Sequence, residues 1–290
     1  MLKKENLKNL SSYILDGEMF INVNLGQTER KEKPNMKEMA QEHYKIKTET
    51  IKLSDFAEAL GKGRAFFAGK FKKAKDGKVH YSKECLTQSG MIIMDIDNGL
   101  YDIEDVHSFL KENGIEPNII YESFSYSKSN PRFRILWVVG DMEDKSIIED
   151  LSKLTYELLK KWSSIWKMNK EKTIPHIVTV KNFKSEINTE YKNIILEEDK
   201  ASNNSVQMWQ GTKNQVYLYH QEYSNIADFV NVFYSLASKG HEKRITDTLR
   251  NKCNIGCIGY IGDRTYNEMS SNYFENRGII SQISLKTPDN

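Results

Sequence analysis

The stretch MIIMDIDNG, residues 91–99, constrains the fold of this chain more than any other segment. Its first four apolar residues predict a buried strand, and Asp95 and Asp97 follow where that strand ends. Because residues two apart in a strand point to the same face, the two carboxylates project together while Ile96 packs behind them. Adjacent carboxylates repel, and an oxygen-seeking divalent cation such as Mg²⁺ between them removes that repulsion. The alternative is a turn that simply ends the strand, since Asp, Asn and Gly favour turns.

Composition limits the classes of protein that fit. The chain has 290 residues, of which 39% are hydrophobic, so it can bury a sizeable core. Its net charge of +2 means that any contact with nucleic acid has to come from local patches. Three cysteines do not make a disulfide framework, and there is neither a signal-peptide pattern nor an apolar run approaching about 18 residues. We therefore expect a globular protein of a reducing cytoplasm that does not enter a membrane.

Strand and helix patterns alternate along the chain, which predicts an α/β or α+β fold. Ser54 is the predicted N-cap of an early helix. The strands are predicted in INVNLG, RAFFAGKF, IIYESFSYS, RFRILWVVG, HIVTV and VYLYHQ. The helices are predicted in KLSDFAEALGKG, LYDIEDVHSFLKENG, DKSIIEDLSKLTYELLKKWSSIW and IADFVNVFYSLAS.

Two further segments carry basic residues in patterns that suit phosphate. Arg132 and Arg134 stand two apart in PRFRILW, so they share a strand face and can grip phosphate oxygens, unless they are solvated residues of an edge strand. The most basic stretch is GKGRAFFAGKFKKAKDGK, where phenylalanines alternate with cations as in single-strand binding surfaces. The alternative there is that the phenylalanines are core residues and the lysines flank a turn. The predicted nucleic-acid contacts are Arg64, Lys70, Lys72 and Lys73.

Four stretches in this order resemble the catalytic core of the archaeo-eukaryotic primase superfamily, in particular the primase-polymerases of bacterial plasmids, phages and integrated elements. They are LGKGRAFFAGKF, MIIMDIDNG, YESFSYSKSNPRFRILW and DKASNNSVQMWQGTKNQVYLY, and they span about residues 55–220. The resemblance implies an α+β fold with a ferredoxin-like (RRM-like) antiparallel sheet. The implied organisation is a catalytic core at 1–225, divided into an N-terminal α/β unit at about 1–90 and a metal-binding sheet at about 90–225, and a helical extension at 226–290.

The resemblance also implies the residues of a site. Asp95, Asp97 and Asp199 would hold two Mg²⁺ or Mn²⁺ ions, with Glu197 and Glu198 as rivals for the third acid. The nucleotide would contact Ser125, Tyr126, Lys128, Arg132 and Arg134. The family's second motif usually carries a histidine where this chain has Tyr126, and a phenol has no positive charge near pH 7.

The function implied by the resemblance is that of a DNA primase or primase-polymerase of a mobile genetic element. Such a nucleotidyltransferase uses metal ions and nucleoside triphosphates to copy single-stranded DNA in the cytoplasm of a bacterial host. The chain has no Walker motif, so a helicase or other replication protein would be a separate partner. The alternative, favoured by Tyr126, is a weak or inactive primase-fold protein that binds nucleic acid or a replication partner. A nuclease that uses the same carboxylates is a third possibility.

Overall fold

The computed structural model describes residues 14–15, 18–42, 45–97, 101–171, 204–236 and 241–252. Its strands are β1 (Ile14–Leu15), β2 (Glu18–Leu25), β3 (Lys47–Lys52), β4 (Phe66–Phe67), β5 (Lys70–Phe71), β6 (Leu86–Ile96), β7 (Ile119–Glu122), β8 (Phe133–Met142), β9 (Met208–Trp209) and β10 (Val216–Leu218). Its helices are α1 (Met36–Glu42), α2 (Leu53–Gly61), α3 (Ile103–Glu112), α4 (Lys145–Glu171), α5 (Ile226–Leu236) and α6 (His241–Lys252).

These strands form two antiparallel sheets. In the first sheet the order is β1-β2-β4-β9, and β3 also pairs with β2. In the second sheet the order is β10-β7-β8-β6-β5. The short strand β9 comes late in the chain and returns to the first sheet, where Trp209 lies opposite Phe66. The fold is therefore a mixed α/β one built on antiparallel sheets, as the sequence predicts.

The second sheet contains a split β-α-β unit, because β8 lies between β6 and β7 and is antiparallel to both. In a ferredoxin-like sheet the last strand would pair with the first. Here β10 pairs with β7 at the opposite edge, and β5 occupies the outer side of β6 at Leu86 and Gln88. The described strand order thus differs from the ferredoxin-like order in the place of the last strand.

Both faces of the second sheet are buried, which explains the unbroken apolar run at the start of MIIMDIDNG. Ile92, Met94 and Ile96 pack on one face against α3, α4, α5 and α6. Met91 and Ile93 lie on the other face and pack against β2, α2 and Trp209. The site described below therefore sits on the face that meets the first sheet.

The predicted strands and helices agree with the structure at most positions and differ from it at a few. INVNLG lies in β2 except for its final glycine, and the four predicted helical segments correspond to α2, α3, α4 and α5. Ser54 as the N-cap is wrong, because α2 begins one residue earlier and Lys52 holds the cap position. RAFFAGKF forms two short strands, and Gly69 between them approaches Gln88 so closely that a Cβ there would collide with the Gln88 carbonyl oxygen. HIVTV, residues 176–180, lies outside the described residues. Within the described part of the chain, no helix is long and apolar enough to cross a membrane.

Candidate functional site

Asp95 and Asp97 lie at the carboxyl end of β6, on the face that meets the first sheet. The alternation of β6 places Asp95 on the same side as Met91 and Ile93, as the strand period predicts. The two acids differ in exposure, since 19% of the Asp95 side chain and 64% of the Asp97 side chain reach solvent. The Asp95 carboxylate is thus mostly buried, and the Asp97 carboxylate is open to solvent.

Two arginines face these acids, Arg134 in β8 and Arg132 just before that strand. Asp95 is the cross-strand neighbour of Arg134, and Nη2 of that arginine lies 3.2 Å from Asp95 Oδ2. Nη1 of Arg132 lies 2.9 Å from Asp97 Oδ1. Opposite charges on directly facing strand positions attract, and here they bring both predicted pairs to one place. The four side chains therefore form a single cluster of alternating charge.

Arg134 is held on several sides. Its Nη1 donates a hydrogen bond of 2.9 Å to the Gln210 carbonyl oxygen, which also accepts one from the Tyr121 hydroxyl at 3.0 Å. The guanidinium lies 5.4 Å from the ring centroid of Trp209 and 5.8 Å from that of Tyr121, within cation–π range. We call these three residues, Tyr121, Trp209 and Gln210, the arginine cage.

The surroundings of Arg134 keep its guanidinium charged. Burial acts to lower the pKa of Arg134, but Tyr121 and Asp95 outweigh it and raise that pKa above its ordinary value. Burial also raises the pKa of the Tyr121 hydroxyl, so this group remains a hydrogen-bond donor. By contrast, Arg132 is 35% exposed. Arg134 is therefore fixed in place, while Arg132 has room to change its partner.

The other predicted nucleotide contacts lie in the loop between β7 and β8. Ser125 and Lys128 are exposed there. Tyr126 packs against the helix-covered core on the opposite side of the sheet from Asp95. Burial, followed by the charges of Glu122, Glu104 and Asp102, raises the pKa of its hydroxyl. Its surroundings are thus acidic and do not favour phosphate.

The predicted third acid cannot be placed. Asp199 and its rivals Glu197 and Glu198 lie outside the described residues. Among the residues that are described, no group of three or more His, Cys, Asp and Glu side chains is arranged to hold a metal ion. Asp95 and Asp97 still offer the hard oxygen donors that suit Mg²⁺ or Mn²⁺, and the open Asp97 has space to turn toward a cation. The two acids therefore fit part of the expected donor set.

The predicted nucleic-acid contacts separate into two groups. Arg64 donates a 2.6 Å hydrogen bond to the Gly26 carbonyl oxygen, and Lys70 lies 3.0 Å from Asp141, so both are engaged within the protein. Lys72 and Lys73 are exposed, and their side chains make no hydrogen bond or ion pair with another described residue. Phe66 and Phe67 are buried, which is the core alternative for the phenylalanines.

The residues of the arginine cage could not be predicted from the sequence patterns. Tyr121 looks like an ordinary strand residue, and Trp209 and Gln210 lie more than 70 residues from Arg134 in sequence. A usable signal is the glycine that follows them in WQGTKN. A Cβ at Gly211 would lie 2.5 Å from the Leu60 carbonyl oxygen and 2.7 Å from that of Arg64. Only glycine permits this close approach, which brings the Gln210 backbone to the site.

Comparisons with known proteins add one structural similarity. No protein-family model matches the chain, and no curated protein matches it. Among solved structures it is similar to the AEP domain of the primase-polymerase (PrimPol) of cyanophage S-2L, at 11% sequence identity and a TM-score of 0.36, over 80% of this chain and 97% of that one.

Proposed function

We propose that this protein is a metal-dependent nucleotidyltransferase, a DNA primase or primase-polymerase of a mobile genetic element. The observation that supports it best is the cluster in which Asp95 and Asp97 face Arg132 and Arg134 on neighbouring strands. Acids that bind divalent cations and arginines that bind phosphate are the groups that nucleotidyl transfer requires at one place. The resemblance of four ordered sequence stretches to the primase superfamily points the same way.

The proposed roles follow from the different exposure of the four side chains. Asp95 and Asp97, with Asp199 or a neighbouring acid, hold two Mg²⁺ or Mn²⁺ ions, which when bound activate the attacking 3′-hydroxyl and stabilise the departing pyrophosphate. With the ions bound, Asp97 would face a cation in place of Arg132, and Arg132 would then be free to contact the triphosphate. Arg134 stays in its cage and orients Asp95. Ser125 and Lys128, in the exposed loop beside Arg132, are secondary contacts for the nucleotide.

The template is proposed to lie across the hairpin that follows β5. Lys72, Lys73, Lys75 and Lys78 are all exposed there, and none of their side chains has a partner among the described residues. Unpaired lysines attract the phosphates of a single strand without selecting its sequence. A separate helicase or replication protein would supply the strand, in the cytoplasm of a bacterial host.

Primer-independent synthesis tests this function. Purified protein is mixed with single-stranded template, labelled ribo- or deoxynucleotides, and Mg²⁺ or Mn²⁺. We expect short products that disappear in the double variant Asp95→Ala, Asp97→Ala. The matched control removes two exposed acids of α2, Asp55 and Glu58, and should keep full activity. Synthesis that persists in the Asp95, Asp97 variant would refute the proposal.

The second candidate is a primase-fold protein that binds nucleic acid or a replication partner without catalysis. It is favoured by one observation, that both carboxylates already have arginine partners. The same assay separates the two functions. Tight binding of the single strand without product, at any concentration of either metal, would support the non-catalytic function.

A further inference from the structure

The backbone of Asp95 is held by a buried tyrosine of α4. The Asp95 N–H donates a hydrogen bond of 3.3 Å to the hydroxyl oxygen of Tyr156. The same hydroxyl donates one of 3.2 Å to the Asp95 carbonyl oxygen. Tyr156 is only 2% exposed, and it belongs to the core formed by the helices and the second sheet. One side chain therefore satisfies both backbone groups of a single residue.

The position of Asp95 in the sheet explains why this contact matters. On its inner side β6 pairs with β8, but on its outer side β5 pairs only with Leu86 and Gln88, at the far end of the strand. No described strand lies beside the outer edge at Asp95. The hydrogen bonds to Tyr156 show that the N–H and the carbonyl group of Asp95 point toward that outer edge. An unpaired strand end frays, and a buried backbone group without a partner is costly.

We propose that Tyr156 is a positioning residue that fixes Asp95 for nucleotidyl transfer; this inference rests on the proposed function. Tyr156 takes the place of a neighbouring strand at this one residue. Arg134 holds the carboxylate from the other side and is itself held by the arginine cage. Asp95 is thus restrained at both its backbone and its side chain, whereas the open Asp97 pairs with the partly exposed Arg132, which can change its partner. Groups that orient a metal ligand commonly change metal affinity or activity by about 10–100-fold when removed.

The test is Tyr156→Phe, which deletes the hydroxyl and keeps the ring in the core. The matched control is Tyr223→Phe, because the Tyr223 hydroxyl also bonds to a strand backbone, donating 2.8 Å to the Phe20 carbonyl oxygen in β2. Three quantities are measured in both variants: the rate of synthesis against Mn²⁺ concentration, thermal stability, and hydrogen exchange of the Asp95 amide.

We expect Tyr156→Phe to lower kcat about tenfold, to raise the Mn²⁺ concentration needed for half-maximal rate, and to leave KM for the template unchanged. The Asp95 amide should exchange faster, while the amide of Ile92 in the middle of β6 keeps its protection. Tyr223→Phe should show neither the change in metal dependence nor the faster exchange, even if it loses as much thermal stability.

Two results would overturn the inference. One is an equal change of kcat and Mn²⁺ dependence in both variants, which would reduce Tyr156 to a stabilising residue. The other is unchanged exchange of the Asp95 amide, which would show that the hydroxyl does not fix this backbone. A wild-type protein that makes no product refutes the proposed function and the catalytic role of Tyr156 together. In that case the exchange of the Asp95 amide still decides whether Tyr156 fixes the strand.

Discussion

At the scale of single residues, Arg132 and Arg134 share a strand face but differ in what surrounds them. Arg134 is bonded to Asp95 and Gln210 and lies over the Trp209 ring, whereas Arg132 has a solvent-exposed pairing with Asp97. A charge that loses its partner inside a protein costs far more than one that loses its partner in water. The loss of Arg134 should therefore destabilise the protein more than the loss of Arg132.

Substitution of each arginine by alanine separates these roles. Arg134→Ala removes the arginine that pairs with the Asp95 carboxylate and should lower the free energy of unfolding by about 3 kcal/mol. Arg132→Ala should change it by less than about 1 kcal/mol but raise KM for the nucleotide. Urea unfolding and steady-state kinetics measure both effects. Equal destabilisation by the two substitutions would contradict the fixed and mobile roles.

Asn118 is a second residue of this kind, because its side chain makes hydrogen bonds to several neighbouring segments. It is fully buried, and its Nδ2 donates to the carbonyl oxygens of His220 at 3.2 Å and Glu222 at 2.7 Å. Its Oδ1 accepts from the N–H of Val138 at 2.8 Å. This one amide joins β7, β8 and the segment after β10.

Asn118→Ala should therefore lower the free energy of unfolding by about 2–3 kcal/mol, because the buried N–H of Val138 and two partly buried carbonyl groups lose their partner at once. Asn113→Ala is the matched control. That residue uses its Nδ2 only for a 2.8 Å bond to the Phe109 carbonyl oxygen at the end of α3, where water can substitute. Thermal or urea unfolding of both variants measures the difference, and similar losses would argue against the role of Asn118.

Sequence reasoning reaches some of these residues and misses others for a physical reason. Asp95, Asp97, Arg132 and Arg134 are found because a period of two decides which side chains share a face. Asn118 bonds to groups about 100 residues away, and the Gln210 carbonyl meets Arg134 across 76 residues. Periodicity describes local geometry alone, so contacts across such distances leave no trace in it.

At the scale of elements, the hairpin after β5 is a compact basic projection. Phe67 stacks on Tyr81 with ring centroids 4.2 Å apart, and Phe71 meets Tyr81 edge-on at 5.0 Å. Gly77, with a φ of +77°, makes the tight turn at its tip. The aromatic rings form the base of the hairpin, and its four lysines are exposed beside the smaller exposed set Asp76, Val79 and His80.

Replacing the four lysines of the hairpin with glutamine should weaken binding to single-stranded DNA. About 0.7 counterions are released per phosphate contact on a single strand, so four contacts predict a slope of log K against log salt smaller by about 3. Fluorescence anisotropy at several salt concentrations measures this slope. The substituted residues are Lys72, Lys73, Lys75 and Lys78.

A control with the same net charge neutralises four lysines that already pair with acids elsewhere. These are Lys52, Lys62, Lys111 and Lys153. Their removal should leave the salt slope nearly unchanged. An equal loss of slope in both variants would mean that overall charge attracts the strand and that the hairpin has no special part.

Asp228 in helix α5 lies at a position where burial disfavours the charged form of its side chain. Burial raises the pKa of Asp228 from its ordinary value of 3.8 to about 6. The folded state thus binds this proton more tightly than the unfolded state, so the contribution of Asp228 to stability is fully present below about pH 4. That contribution is lost as the pH rises through about 6.

Asp228→Asn should therefore stabilise the protein at pH 8 by about 1–3 kcal/mol, because asparagine avoids the charge that burial disfavours. The gain should shrink below pH 6 and vanish near pH 4. Urea unfolding of both proteins across this range measures it. A gain that does not depend on pH would show that ionisation of Asp228 is not its cause.

The elements themselves are largely predictable, but their neighbours are not. The helices α3, α4 and α5 follow from apolar spacing, which depends on residues three and four apart. The position of β10 beside β7 does not follow, because strand patterns state which face is buried and leave the pairing partner open. For this reason the described strand order departs from the expected ferredoxin-like order in the place of the last strand.

At the scale of the whole molecule, the late strands join the two sheets. Met208–Trp209 completes the first sheet beside β4, and six residues later Val216–Leu218 completes the second beside β7. Between them the N–H of Gly211 bonds to the Arg64 carbonyl oxygen at 3.0 Å, and that of Thr212 bonds to the Leu60 carbonyl oxygen at 2.7 Å. The predicted boundary near residue 90 would divide the chain into two units. The strands of the two sheets nevertheless alternate along the chain, as these late strands show.

This interleaving predicts a single cooperative unfolding transition. Loss of the 208–218 segment removes an edge strand from both sheets at once, and Met91, Ile93 and Trp209 share one apolar cluster with β2. Amides of β2 and of β8 should therefore exchange hydrogen with the same free energy of opening. Gly211→Val should lower both values together, because its side chain would collide with the Leu60 carbonyl oxygen. Two results would contradict this prediction: amides of β2 that open at a lower free energy than those of β8, or a Gly211→Val variant that weakens one sheet alone. Either result would mean that the N-terminal unit unfolds by itself. The boundary near residue 90 would then divide two independent domains.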